Sequence, residues 1–336
     1  MPHAKLRNIQ VRLTRRPAGP PQPGDFEVVE QPLGELSPGE VLVRTLYLSV
    51  DPALRPRMEA VSAYAGAVPL HDVIPSSALG IVEASKDPAF CPGDHVAGPF
   101  GWQTYARCPA GEVRRIDPDR APLQQWLSVL GLSSFTAWVG LTLIGRPVAG
   151  ETVVVSAATG ATGAVAGQIA RILGARPVGI AGGAEKCQAA IDIFGYADCV
   201  DHSAPDFPDR LTAACPDGID VDFENVGGHV LAGVYERMAL GGRVVICGLV
   251  SEYSRAEGWL PGPSLWPAVY KSLRIEGFRA SRYFHLLPEF IEQALDWSEQ
   301  GLLIHREHIT EGIEQTPQAF VDMLAGRHFG KAMVKV

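Results

Sequence analysis

The stretch VVVSAATGATGAVAGQIARILGA, residues 153–175, decides the reading of the chain. A β-branched apolar run ends in a cluster of small residues, and a segment with helical amphipathic spacing follows, so the stretch reads as strand, tight turn and helix. The turn carries Ala158-x-Gly160-x-x-Gly163, the dinucleotide fingerprint G-x-G-x-x-G with alanine in its first place. Small residues suit that task. The turn needs permissive backbone angles, and a pyrophosphate must reach the helix N-terminus, where unpaired amides and the positive helix end stabilise it, with no Cβ in the way. Glycine-rich turns also arise for packing alone. The fingerprint's position at the start of a strand–helix series favours dinucleotide binding.

Working outward, the segment LSVLGLSSFTAWVGLTLIG (127–145) reads as helical, and strands then alternate with helices. The expected strands are ETVVVSA, RPVGIAG, CVDHS, GIDVDFEN, RVVICGL and LRIEGF; GAVAGQIARILG, AEKCQAAIDIFG, PDRLTAACP and HVLAGVYERMA fill the gaps as helices. Such alternation predicts βαβ units and a parallel sheet, an α/β fold. Residues 1–125 differ: NIQVRL, FEVVEQ, EVLVRTLYLSV, LGIVEA and DHVAGPF are short β-like runs between turns such as SPGE and CPGD. The tail gives a helix at PEFIEQALDWSEQGLL and a strand at KAMVKV. A length of 336 residues fits about two domains.

Composition narrows the function classes. Charged residues make up 20% and the net charge is −8, which argues against nucleic acid or an anionic membrane surface as partner. No run of 18 apolar residues predicts a membrane span, and the first residues lack a signal peptide's apolar core, so a cytoplasmic protein is expected. The six cysteines contain no C-x-x-C, and in a cytosolic chain they read as free thiols. His305 and His308 are the nearest thing to a metal pair. No third ligand completes them, and two solvated histidines are expected; no metal is predicted.

Three further strand ends bear on the cofactor. RPVGIAG runs into Ala181-Gly182-Gly183-Ala184 without the acid that would hold an adenosine ribose, and Lys186 follows. That pattern suits a 2′-phosphate and hence NADPH, the other reading of Lys186 being an exposed helix lysine. Asn225, with Gly227 and Gly228 behind it, and the segment Cys247-Gly248-Leu249-Val250-Ser251-Glu252-Tyr253 each follow an apolar strand, where open α/β sheets bind their ligands.

Together, LSVDPALRPRM (48–58), SAATGATGAVAGQIAR (156–171), VGIAGGAEKC (178–187), CPDGIDVDFENVGG (215–228), GRVVICGLVSEYS (242–254), IEGF (275–278) and FGKAMVKV (329–336) resemble the zinc-independent branch of the medium-chain dehydrogenase/reductase superfamily. That branch holds leukotriene B4 dehydrogenases, prostaglandin reductases, plant double-bond reductases and bacterial curcumin or 2-alkenal reductases. The resemblance spans essentially the full length. It implies a GroES-like catalytic domain at 1–125, rejoined by 300–336, and a doubly wound Rossmann domain at 126–299. Ser77-Ala78-Leu79-Gly80 stands where the zinc enzymes carry a ligand motif. By the resemblance, Gly160, Ala161, Thr162 and Gly163 cradle the pyrophosphate, Lys186 and His202 serve the adenosine phosphate, and Asn225 contacts the cofactor. Cys247, Gly248, Leu249, Val250 and Ser251 line the nicotinamide end, with Phe278, Arg279, Ala280 and His328 also contacting NADPH. His202 replaces a tyrosine common in the family; a protonated histidine can still serve a phosphate. His328 replaces an asparagine, and Ala53, after Asp51, replaces a pocket tyrosine, implying a roomier or reshaped pocket.

The implied reaction is NADPH-dependent reduction of the C=C bond of a small apolar α,β-unsaturated aldehyde or ketone. Tyr253, a neutral donor at pH 7, is the expected catalytic group at the developing enolate oxygen. Asp51, Ala53, Tyr64 and Tyr253 are expected around the substrate. The aromatic stretch 259–270 is expected to cover an apolar substrate, core packing or a dimer contact explaining it equally well; for Tyr64 packing is the competing reading. A quinone reductase and an NADPH-binding protein with little turnover are the rival functions. The family implies a homodimer.

Overall fold

The computed structural model describes residues 6–62, 65–255 and 262–336. The chain forms two compact units: one runs up to Leu127 and resumes as Glu307–Val336, and the other is Ser128–Arg306.

In the first unit, β1 (Arg7–Leu13) pairs antiparallel with β2 (Phe26–Pro32). The strands β3 (Glu40–Ser49), β4 (Ala78–Ser85), β5 (His95–Gly98), β6 (Tyr105–Pro109) and β7 (Arg114–Arg115) belong to a second, mainly antiparallel sheet centred on β3. Val41 and Val43 of β3, on one face of the strand, lie in the core with Val11, Leu13 and Trp102. The rings of Phe26, Trp102 and Phe320 meet at 5.5–6.2 Å, mostly tilted or edge-on, the arrangement aromatic quadrupoles favour.

The second unit opens with α1 (Leu132–Val139), then β8 (Thr152–Ser156), α2 (Ala161–Ile172), β9 (Arg176–Ala181), α3 (Ala184–Asp192), β10 (Asp198–Asp201), α4 (Phe207–Ala214) and β11 (Ile219–Glu224). It continues with α5 (Gly228–Glu236), β12 (Met238–Ile246), α6 (Trp266–Tyr270), β13 (Arg274–Gly277) and α7 (Leu287–Glu299). The six strands form one sheet in the order β10-β9-β8-β11-β12-β13, every pair parallel. The inner strands β8, β9 and β11 are buried almost end to end, as expected of a sheet covered on both faces. Strand order reverses between β8 and β11, which is where such a sheet opens a crevice at its carboxyl edge. The α/β expectation holds.

The first unit is completed by β14 (Glu307–Glu311), α8 (Thr316–Leu324) and β15 (Lys331–Lys335); β15 lies between β14 and β3.

Three local expectations fail. Residues 127–145 are not one helix: α1 covers only 132–139, and a wider π-helical turn carries 140–145 to Arg146 at φ +49°. A Cβ at Gly140 would lie 2.4 Å from the Phe223 ring and 2.9 Å from that of Phe278, so packing against two aromatics shapes this segment. The helix expected to include Met238 and Ala239 stops at Glu236, because both residues begin β12 beside β11. The tail holds β14 and α8 in addition to the helix and strand expected. Among the described residues no helix is long and apolar enough to cross a membrane.

Candidate functional site

The fingerprint turn is built around two backbone requirements. Ala157, directly after β8, takes φ +52°, and its carbonyl accepts the Gly160 N–H at 2.9 Å. A Cβ at Gly163 would lie 2.2 Å from that same carbonyl oxygen, so only glycine lets the first turn of α2 close on the strand. Ala158, in the fingerprint's first place, is not the left-handed residue. It is buried, and its N–H donates to the Ile180 carbonyl of β9. Tyr196 fixes the far side of the helix, its hydroxyl donating to the Gly163 carbonyl at 2.6 Å and its ring filling the space left by Gly167.

Glycine recurs at the head of three helices along this edge. Gly160, Gly183 and Gly227 are the residues before α2, α3 and α5, and none of the three helices has a side-chain cap. Their first-turn amides thus face outward from the carboxyl edge of the sheet, a donor set matched to an anionic dinucleotide. The residues present fit NADPH on this observation.

At the end of β9, Gly182 and Gly183 lead into α3, and Lys186 stands half-buried in its first turn. Burial lowers the Lys186 pKa, while Glu185 raises it. Asp201, at the end of β10, accepts N–H groups from Gly183 and Ser203, both at 2.8 Å, and these bonds hold its carboxyl below the usual range. The acid missing from the end of β9 is therefore supplied by the next strand, as a brace for the loop. His202 faces Gly182 and packs against His229 at 5.4 Å between ring centroids. Burial, then the neighbouring His229, lowers its pKa, and Lys186 acts in the same direction. An imidazolium at His202 is therefore disfavoured.

The loops after β11 and β12 are bonded into one surface. The Glu224 carbonyl accepts the N–H groups of Cys247 and Gly248 at 2.9 and 3.0 Å; the Asn225 carbonyl accepts that of Val250, and the Val226 carbonyl that of Ser251, each at 3.0 Å. Asn225 is held twice by Ser156: its backbone N–H reaches the Ser156 hydroxyl, and its Nδ2 donates to the Ser156 carbonyl, each at 2.7 Å. Tyr253 folds back over Gly248, where a Cβ would lie 2.9 Å from the phenol oxygen, and that oxygen accepts the Leu249 N–H at 3.4 Å. The Cys247 thiol is pushed up to about 12 by burial and by the Glu224 charge, so it is neutral and not a nucleophile.

One strand over, Ile246 is in register with Gly277, so Phe278, Arg279 and Ala280 leave the sheet beside Cys247. The second unit thus brings together Gly160, Ala161, Thr162, Gly163, Lys186, His202, Asn225, Cys247, Gly248, Leu249, Val250, Ser251, Tyr253, Phe278, Arg279 and Ala280 along a single sheet edge.

Asp51, Ala53 and His328 belong to the first unit. Asp51 starts the short 3-10 helix 52–58 that carries the half-buried Ala53, and it is paired with buried Lys331 and accepts the Ser49 hydroxyl. His328 stacks on His308 at 3.8 Å between ring centroids, with both ring nitrogens buried and without hydrogen-bond partners. Burial, then His308, lowers its pKa. Tyr64 and residues 259–261 lie outside the described residues. Sequence reasoning passed over Ser156, Glu224, Asp201, Tyr196 and Lys331. A single serine ending the apolar run VVVS was the one available signal among them.

Among the described residues, no three His, Cys, Asp or Glu side chains are grouped to hold a metal ion. Residues 9–116 match the family of N-terminal domains of oxidoreductases, and residues 161–300 match the zinc-binding dehydrogenase family. The chain is 40% identical to the NADPH-dependent curcumin reductase of Escherichia coli over 100% of its length and 99% of that protein's. It is 34% identical to the NADP(+)-dependent 2-alkenal reductase of Nicotiana tabacum, over 99% and 98%. CurA from Vibrio vulnificus in complex with NADPH superposes with a TM-score of 0.92 at 38% identity, covering 98% of this chain and 99% of that one.

Proposed function

Since the chain belongs to the zinc-independent medium-chain dehydrogenases/reductases, in the branch of curcumin, 2-alkenal and prostaglandin reductases, we propose that it reduces the C=C bond of small apolar α,β-unsaturated aldehydes and ketones with NADPH. The observation that carries this reading is the joined pair of loops after β11 and β12, which puts the Tyr253 hydroxyl beside the cofactor edge held by Asn225.

NADPH, when bound, supplies the hydride. The chain's own residues bind and orient it: the amides of Ala161, Thr162 and Gly163, presented by the turn at Gly160, take the pyrophosphate and Lys186 the 2′-phosphate. Asn225 and the segment 247–251 set the position of the nicotinamide end, beside Phe278, Arg279 and Ala280. Negative charge then develops on the substrate's carbonyl oxygen, and the Tyr253 O–H donates to it; one such donor is worth about 3–4 kcal/mol. Within the first unit, the ties of Asp51 to Lys331 and Ser49 hold rigid the segment that carries Ala53.

The reading also makes the protein a homodimer. β13 is an outer strand of its sheet, and Leu265, Trp266, Val269, Tyr270 and Ile275, on α6, β13 and the residue before α6, expose their apolar side chains.

The test is NADPH oxidation against a 2-alkenal, an aryl enone, a long-chain enone and a benzoquinone, each repeated with NADH. Turnover of an enone with NADPH, giving a product saturated at C=C, is expected. Turnover of the quinone alone would move the protein to quinone reduction, and none at all would leave it a cofactor-binding protein.

A further inference from the structure

Asp222 and Glu224 are completely buried. They occupy alternate positions of β11 and so face the same side of the sheet, where Val154, Val178, Val230 and Val244 form the apolar core. Phe223, between them, points the other way, against Gly140. Among the described residues neither acid has a cationic partner within ion-pair distance. Glu224 Oε1 accepts three hydrogen bonds, from the Ser156 hydroxyl at 2.8 Å, the Gly227 N–H at 2.8 Å and the Val226 N–H. Among the described residues, Glu224 Oε2 and both oxygens of Asp222 find no hydrogen-bond donor.

Two ionised carboxylates side by side in an apolar core are untenable, since each lacks solvation and each repels the other. One proton shared out between the two removes a charge and with it the repulsion. The hydrogen bonds decide where it resides. Three donors converge on Glu224 and stabilise its charge, whereas nothing but a proton satisfies Asp222. Burial and the Glu224 charge both push the Asp222 carboxyl well up, while at Glu224 the raising effect of burial is opposed by Gly227, Ser156 and Val226.

We propose that Asp222 and Glu224 are a one-proton pair, Asp222 protonated and Glu224 ionised, and that Glu224 is the positioning residue for Asn225 and the Gly227–Gly228 turn at the cofactor edge. The chain of contacts is short. Glu224 holds the Ser156 hydroxyl, Ser156 holds both the backbone and the side-chain amide of Asn225, and the same Glu224 oxygen holds the turn ahead of α5. Ser156 Oγ, having donated to Glu224, is left to accept from Asn225, so its hydroxyl direction is set by the carboxylate. Glu224 thus fixes the Asn225 backbone through the Ser156 hydroxyl, while the Ser156 carbonyl takes Nδ2 of the side chain. This inference rests on the assignment of NADPH to that edge.

The test compares wild-type protein with Asp222→Asn and Glu224→Gln, by infrared difference spectroscopy and by NADPH titration. The wild type should show the carbonyl stretch of a buried neutral carboxylic acid at neutral pH, absent from Asp222→Asn. Asparagine is neutral, as the protonated acid is, so Asp222→Asn should bind NADPH within about twofold of wild type. Glu224→Gln keeps an acceptor oxygen without its charge, and should raise the NADPH Kd and KM about tenfold, the worth of one charge-assisted hydrogen bond, with kcat at saturating NADPH retained. A purely structural role would lower Tm in both variants without that split. Survival of the carboxylic band in Asp222→Asn, or wild-type NADPH affinity in Glu224→Gln, overturns the proposal. If the wild type itself fails to bind NADPH, the functional reading fails and the positioning role with it, while the band still decides the proton pair.

Discussion

Lys186 and Tyr253 mark the two ends of the proposed reaction edge, and each can be tested alone. Lys186→Ala removes a half-buried cation at the end of β9, next to the braced Gly182–Gly183 turn. A lost charge-assisted bond to phosphate predicts an NADPH KM higher by about tenfold to a hundredfold, with NADH almost unaffected. Equal losses for both cofactors would remove Lys186 from the 2′-phosphate. Tyr253→Phe should lower kcat about a hundredfold with NADPH affinity intact, as for loss of one oxyanion donor; unchanged turnover would exclude the phenol. At this scale sequence showed part of the site. Gly163 was legible because only glycine can approach a carbonyl so closely. The left-handed residue was not: Ala157 and Ala158 are chemically identical, and it is the bond from Ala158 to β9 that decides which of them turns. Glu224 escaped notice because its burial is a tertiary fact, invisible in the letters DFEN.

Elements divide by how their hydrophobic pattern is read. β8 and β11 are covered on both faces and flanked by turn residues, so TVVVS and IDVDFE announce themselves as strands. The run 127–145 is apolar throughout. Periodicity there cannot tell a helix of 3.6 residues per turn from a π-turn opened by Gly140 against Phe223. EHITE has no buried face to betray it as β14; it is a strand because β15 lies alongside. The outermost strand of the parallel sheet carries the prediction for this scale. Charging the exposed face of α6 with Trp266→Glu and Val269→Glu should convert a dimer to monomers in sedimentation equilibrium while leaving the far-UV circular dichroism unchanged. A dimer that survives the double substitution would place the contact elsewhere.

At the scale of the molecule, the change from turn-rich short strands to strand–helix alternation near residue 127 was visible in composition and period. The return of the tail was not readable from pattern, since KAMVKV alone names no partner; it came from the family resemblance. Its pairing explains why: β15 joins β3 across some 280 residues of chain, with Met333 opposite Ser49 and Lys331 bonded to Asp51. That arrangement has a consequence for biogenesis. The Ser128–Arg306 unit is one continuous segment, complete as soon as its residues have left the ribosome, whereas the sheet that begins before it cannot close until Lys331–Lys335 has been made. Through synthesis of the entire insert β3 must wait with its Tyr47–Ser49 edge unmated and the Asp51 carboxylate without its lysine, and β15 is the strand that ends that wait.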